Sequence, residues 1–92
     1  MISIDTIWAR IVANEGQTFR QIRGKEYTYE VVGSSIIPEG INQNLPRSQF
    51  EKAIEYLPLE STSEIQHLRG PSYLFSILMD ARIRRQDDWG DR

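Results

Sequence analysis

Residues 18–38 read TFRQIRGKEYTYEVVGSSIIP. Tyr27, Tyr29 and Val31 alternate with Thr28, Glu30 and Val32, the period of two that belongs to a β-strand with one face buried. Two glycines punctuate the stretch. Gly24-Lys25 suits a two-residue turn with glycine at the position needing positive φ, and Gly33-Ser34 suits a second turn of the same kind. The stretch is therefore expected to form three antiparallel strands in a β-meander. This register sets Ile22 opposite Tyr27, Arg20 opposite Tyr29 and Thr18 opposite Val31. In the second hairpin it sets Ile36 opposite Val31 and Ile37 opposite Glu30. The inner face is then Ile22, Tyr27, Tyr29, Val31 and Ile36. A slip by one residue would invert it. In this register Arg20 falls on an otherwise apolar face, which packing does not explain.

Outward from the strands, helical periodicity takes over. Ile4, Ile7, Trp8, Ile11 and Val12 recur on one face of a 3.6-residue repeat, with Ser3 placed to cap and Gly16 to stop a helix over 4–14. Pro38 ends the third strand. Ile41 and Leu45 are expected to tuck the following loop onto the core. Ser48-Gln49-Phe50-Glu51 has the form of a capping box ahead of Phe50, Ala53, Ile54 and Leu57. Ser61-Thr62-Ser63-Glu64 repeats the form ahead of Ile65 and Leu68. Gly70-Pro71 then opens a last helix lined by Leu74, Ile77, Leu78 and Ala81, with Tyr73 and Phe75 widening the stripe. Residues 81–85 read equally as helix or strand.

The fold class that results is α+β: a three-stranded antiparallel sheet after an N-terminal helix, covered by two or three further C-terminal helices. The 92 residues suffice for one domain. Residues 1–86 are expected to form it, with 87–92 a flexible acidic tail carrying Asp87, Asp88 and Asp91.

The composition narrows the chemistry. There is no cysteine, so disulfides and cysteine-ligated metal sites are excluded. The start of the chain lacks a basic, apolar leader and no apolar run approaches the ~20 residues of a membrane span, so a cytoplasmic protein without membrane association is expected. His67 is the one histidine. Glu64 lies one turn away, but no nucleophile stands at motif spacing, and a helix-terminal surface histidine is the simpler reading. The three aspartates of the tail lack the ligand pattern of a calcium loop. No G-x-S-x-G or phosphate-loop motif occurs. The expectation is a chain without catalytic residues, metal, cofactor or small-molecule substrate.

Two features suggest binding. Net charge is −2, which gives no overall pull toward nucleic acid, but the cations cluster. Arg20, Arg23 and Lys25 lie beside Tyr27 and Tyr29, the cation-plus-ring mixture that single-stranded nucleic acid binders use. The competing reading puts the tyrosines in the core and pairs the arginines with Glu26 and Glu30, and tyrosine's preference for strands favours it. The second feature is helix, Arg69-Gly70-Pro71, helix over 61–80, the outline of a helix-turn-helix that would offer Ser72, Tyr73 and Ser76 to a groove, with 81–85 as a wing. Arg69, Arg82, Arg84 and Arg85 would then hold phosphates. The apolar character of 72–80 favours a core helical hairpin instead. The leading expectation is a small nucleic-acid-binding module. The alternative is a protein-interaction module or homodimer that pairs through strand 34–37 or strand 18–23.

Overall fold

The computed structural model describes residues 3–57, 59 and 61–84. The tail 87–92 and Arg85 lie outside them. In chain order the elements are α1 (Ile4–Ala13), β1 (Phe19–Arg20), β2 (Glu26–Tyr27), β3 (Tyr29–Val32), β4 (Ser35–Pro38), β5 (Leu45–Pro46), α2 (Arg47–Ile54), a short 3₁₀ helix (Thr62–Ile65) and α3 (Pro71–Leu78). The class is α+β, with a three-stranded antiparallel sheet in the order β3-β4-β5. Strands β1 and β2 form a separate two-stranded ribbon. The third strand of the sheet thus comes from the Leu45–Pro46 segment and not from the residues around Arg20.

The second hairpin has the register expected from its turn. Val31 pairs with Ile36 and Glu30 with Ile37. Gly33 has φ +60 and Ser34 has no positive φ, as a turn with glycine first requires. The first hairpin does not. Phe19 pairs with Tyr27 and Arg20 with Glu26. The Gly24 amide donates to the Gln21 carbonyl at 2.8 Å, Gln21 donates to the Lys25 carbonyl at 2.9 Å, and Gly24 itself has φ +94. The loop is therefore Ile22-Arg23-Gly24 with glycine in the left-handed position of a bulge. Compared with a Gly24-Lys25 turn, the pairing moves by an odd number of residues, and every side chain of β1 changes face. Phe19 enters the core at 1% exposure, while Ile22 leaves it at 65%. Arg20 no longer lies on the apolar face; it sits outside, 2.9 Å from Glu26.

Of the two strands expected to pair with a partner, strand 34–37 does not lie at an edge. β4 is the central strand of its sheet. On the outer side of β3, the Val31 amide donates to the Glu15 carboxylate at 2.7 Å and the Tyr29 carbonyl accepts from Gly16 at 3.2 Å. The turn that follows α1 therefore covers that edge.

One core gathers Ile7, Ile11, Phe19, Tyr29, Ile36, Leu45, Phe50, Ile65, Leu74, Ile77 and Ile83. Helices α1, α2 and α3 supply about half of it, with Trp8 of α1 against Phe50 of α2 at 5.8 Å between rings. Ser3 caps α1 by accepting from Thr6, and Ser61 caps the 3₁₀ helix. The box at Ser48 is not used. The Arg47 amide donates to the Ser34 carbonyl at 2.7 Å, so the chain passes from β5 straight into α2 with Pro46 at the cap position and no side-chain cap bond. Residues 81–83 form a turn, neither helix nor strand, and Ile83 is fully buried. Among the described residues no helix is long and apolar enough to cross a membrane.

Candidate nucleic-acid interface

The two features singled out in the sequence lie 40 residues apart but face each other across one surface. The loop Ile22-Arg23-Gly24 projects beside the 3₁₀ helix and the start of α3. A polar cleft of about 500 Å³ lies between them, lined by Gln21, Ile22, Arg23, Thr62, Gln66 and Ser72. None of these residues is acidic. A shallower depression of about 210 Å³ lies where Arg20, Ile22, Phe75, Met79 and Asp80 come together. Ile22 lines both.

The base of the hairpin is held firmly. Arg82 stacks over the Phe19 ring with its guanidinium carbon 4.0 Å from the centroid. It donates to the Thr18 carbonyl at 2.7 Å and to both Asp80 carboxylate oxygens, at 2.8 and 2.9 Å. The Arg82 guanidinium bonded to Asp80 holds that carboxyl below the usual carboxylate range, and Asp80 in turn raises Arg82 above its ordinary value. On the inner side the Tyr27 hydroxyl bonds the Ser76 hydroxyl of α3, and the Tyr27 ring meets Tyr73 edge-on at 4.9 Å. Burial pushes the Tyr27 and Tyr29 hydroxyls well above the ordinary range for tyrosine.

These contacts sort the candidate residues. Arg20, Arg23 and Lys25 are exposed on the ribbon. Arg20 shares its charge with Glu26 in an exposed pair, which solvent makes weak. Arg69 is exposed and reaches Asn44 at 3.4 Å, while its amide donates to Gln49 at 2.9 Å. Arg82 is committed within the fold. Arg84 is half-buried, and its amide donates to the Asp80 carbonyl at 2.7 Å. Arg85 lies outside the described residues. Tyr27 and Tyr29 are 4% and 2% exposed, so they are core residues and offer no face for stacking. Tyr73 and Ser76, expected on the outer face of a recognition helix, are buried at 9% and 8%. The helical hairpin of 61–80 is thus a core element, and of the three groove-reading candidates only Ser72 is exposed.

Sequence reading overlooked Phe19, Asp80 and the polar partners Gln21, Thr62 and Gln66. The spacing of Asp80 and Arg82 was a usable signal, since acid and base two apart in a turn readily bond. Thr62 and Gln66 carried none, because only the packing of the 3₁₀ helix beside the hairpin makes them neighbours of Arg23. His67, exposed, bonds Tyr56 at 3.3 Å and stacks on it edge-on. No family model, curated protein or solved structure matches this chain significantly.

Proposed function

We propose that this chain is a non-catalytic nucleic-acid-binding module that grips phosphates with the tip of the β1–β2 hairpin and the adjoining cleft. One observation carries the reading. Arg23 lines a cleft whose described lining residues offer hydroxyls and amides and no carboxylate, in a chain whose net charge is negative. Guanidinium, hydroxyl and amide groups are the usual side-chain partners of phosphate oxygens. Lys25 next to the loop and Arg20 at its base extend the basic strip. Exchanging Glu26 for a phosphate costs Arg20 little, because the pair is solvated.

Titration of labelled DNA and RNA at two salt concentrations tests the proposal. Contact by three cations gives a slope of log affinity against log salt of about −3, and Arg23→Ala lowers its magnitude by about 1. Absence of binding at low salt overturns the reading.

A homodimer or protein-interaction module is the second reading. It is favoured by the shallow depression that gathers Ile22, Phe75 and Met79. Light scattering separates the two, since a dimer held by these apolar groups persists at high salt.

A further inference from the structure

Ile22 is the most exposed large apolar side chain among the described residues, at 65%. Its position is as unusual as its exposure. It occupies the first place of the hairpin loop, with Arg23 beside it, Arg20 below it and Lys25 across the turn. The other exposed apolar residues, Val12, Val32 and Tyr56, lie outside this loop. An apolar side chain among cations is poorly suited to water and equally unsuited to a plain phosphate contact. It suits a surface in which phosphates surround stacked, apolar bases.

We propose that Ile22 is a wedge that enters a base step of a DNA duplex while Arg20, Arg23 and Lys25 hold the flanking phosphates. The inference rests on the nucleic-acid reading above and gives it a substrate form and a mechanism. Apolar wedges of this kind part neighbouring bases and kink the duplex, and the cost is recovered in the wider contact that the bent duplex makes. A two-stranded ribbon is narrow enough to enter a groove. The base of the hairpin is braced as a wedge requires. Arg82 ties Thr18 and Phe19 to the turn after α3, and Tyr27 ties β2 to Ser76. Ile22 lines both of the clefts that adjoin the hairpin tip.

The test uses the whole chain and a short DNA duplex carrying 2-aminopurine at a flexible pyrimidine–purine step, with fluorophores at its ends. The expected result is a rise in 2-aminopurine fluorescence and a shortened end-to-end distance on binding. Ile22→Ala should lose both signals and weaken affinity on the order of tenfold, whereas Ile22→Phe should retain both signals. Val12→Ala, an exposed apolar change on α1, is the control and should alter neither. Circular dichroism checks that each variant is folded. Binding without unstacking, or unstacking that survives Ile22→Ala, overturns the wedge and leaves the phosphate-binding reading standing. Absence of binding at low salt overturns both. A dimer that Ile22→Ala dissolves, without DNA binding, overturns the wedge and assigns Ile22 to contact with a second copy.

Discussion

The two hairpins of this chain carry similar local signals and obtain their geometry by different means. β3–β4 has a two-residue glycine turn and a ladder running from Val32–Ser35 to Tyr29–Pro38. Its register follows from the turn, and its outer edge is closed by Glu15 and Gly16. β1–β2 has only the pairs Phe19–Tyr27 and Arg20–Glu26. Two pairs cannot set a register by themselves, and a lone two-stranded hairpin is marginal in water. Long-range contacts decide it: Phe19 in the core, Arg82 across its ring, and Tyr27 bonded to Ser76. The ladder-built hairpin belongs to the scaffold. The anchored one is free to expose its tip, and the candidate interface is there.

The largest expected effect breaks the anchored hairpin. Phe19→Ala removes a buried ring that meets Tyr29 at 5.3 Å and Tyr27 at 6.3 Å, and should cost about 3–5 kcal/mol in chemical denaturation. That is a large share of the roughly 5–10 kcal/mol expected of a domain this size. Ile22→Ala is the counterpart and comes last in the series.

The next effect compares the turns. Gly24 and Gly33 have φ +94 and +60 and open space where a Cβ would stand. Alanine at either should therefore cost about 1–2 kcal/mol through the backbone alone. Hydrogen exchange should separate them. Gly24→Ala should release only residues around β1 and β2, whereas Gly33→Ala should lower protection through the sheet, because β4 pairs on both sides.

Arg82→Lys tests the anchor at about 1–2 kcal/mol, since lysine cannot stack on Phe19 and also bond Thr18 and both oxygens of Asp80. Its acid response sharpens the point. Asp80 is held below the usual carboxylate range, so the folded chain stays charged where the unfolded chain takes up a proton. The stability this gives is fully present above about pH 4 and is lost as the pH falls from there through the lowered value. Acid titration of the unfolding free energy should show this component in the natural chain and a smaller one in Arg82→Lys.

Ile22→Ala should change stability by no more than about 0.5 kcal/mol. If its cost approached that of Phe19→Ala, the register with Ile22 inside would be the correct one, and the exposed tip would not exist.

Much of the scaffold was legible in the residues. Ile4 to Val12 spelled α1 by their 3.6-residue spacing, Gly33-Ser34 set the β3–β4 register, and Gly70-Pro71 placed the start of α3. Each of these signals acts within a few residues, where backbone sterics and side-chain periodicity suffice. The box at Ser48 misled because a main-chain bond from Arg47 to Ser34 outcompeted it. That bond depends on β4 lying alongside, which no local pattern records.

The β1–β2 hairpin marks the boundary. Local chemistry demanded a turn near Gly24 and left two registers of opposite parity. The choice fell to the core, which offers a place for a phenyl ring between Tyr27, Tyr29 and Arg82 and so draws in Phe19. Once that ring is inside, parity sends Ile22 outward and brings Arg20 to Glu26. By itself the sequence determined the helices, the β3–β4 hairpin and the cations available for binding. Only the tertiary structure decided which side of the first strand faces solvent, because contacts across about 60 residues of chain distinguish its two faces.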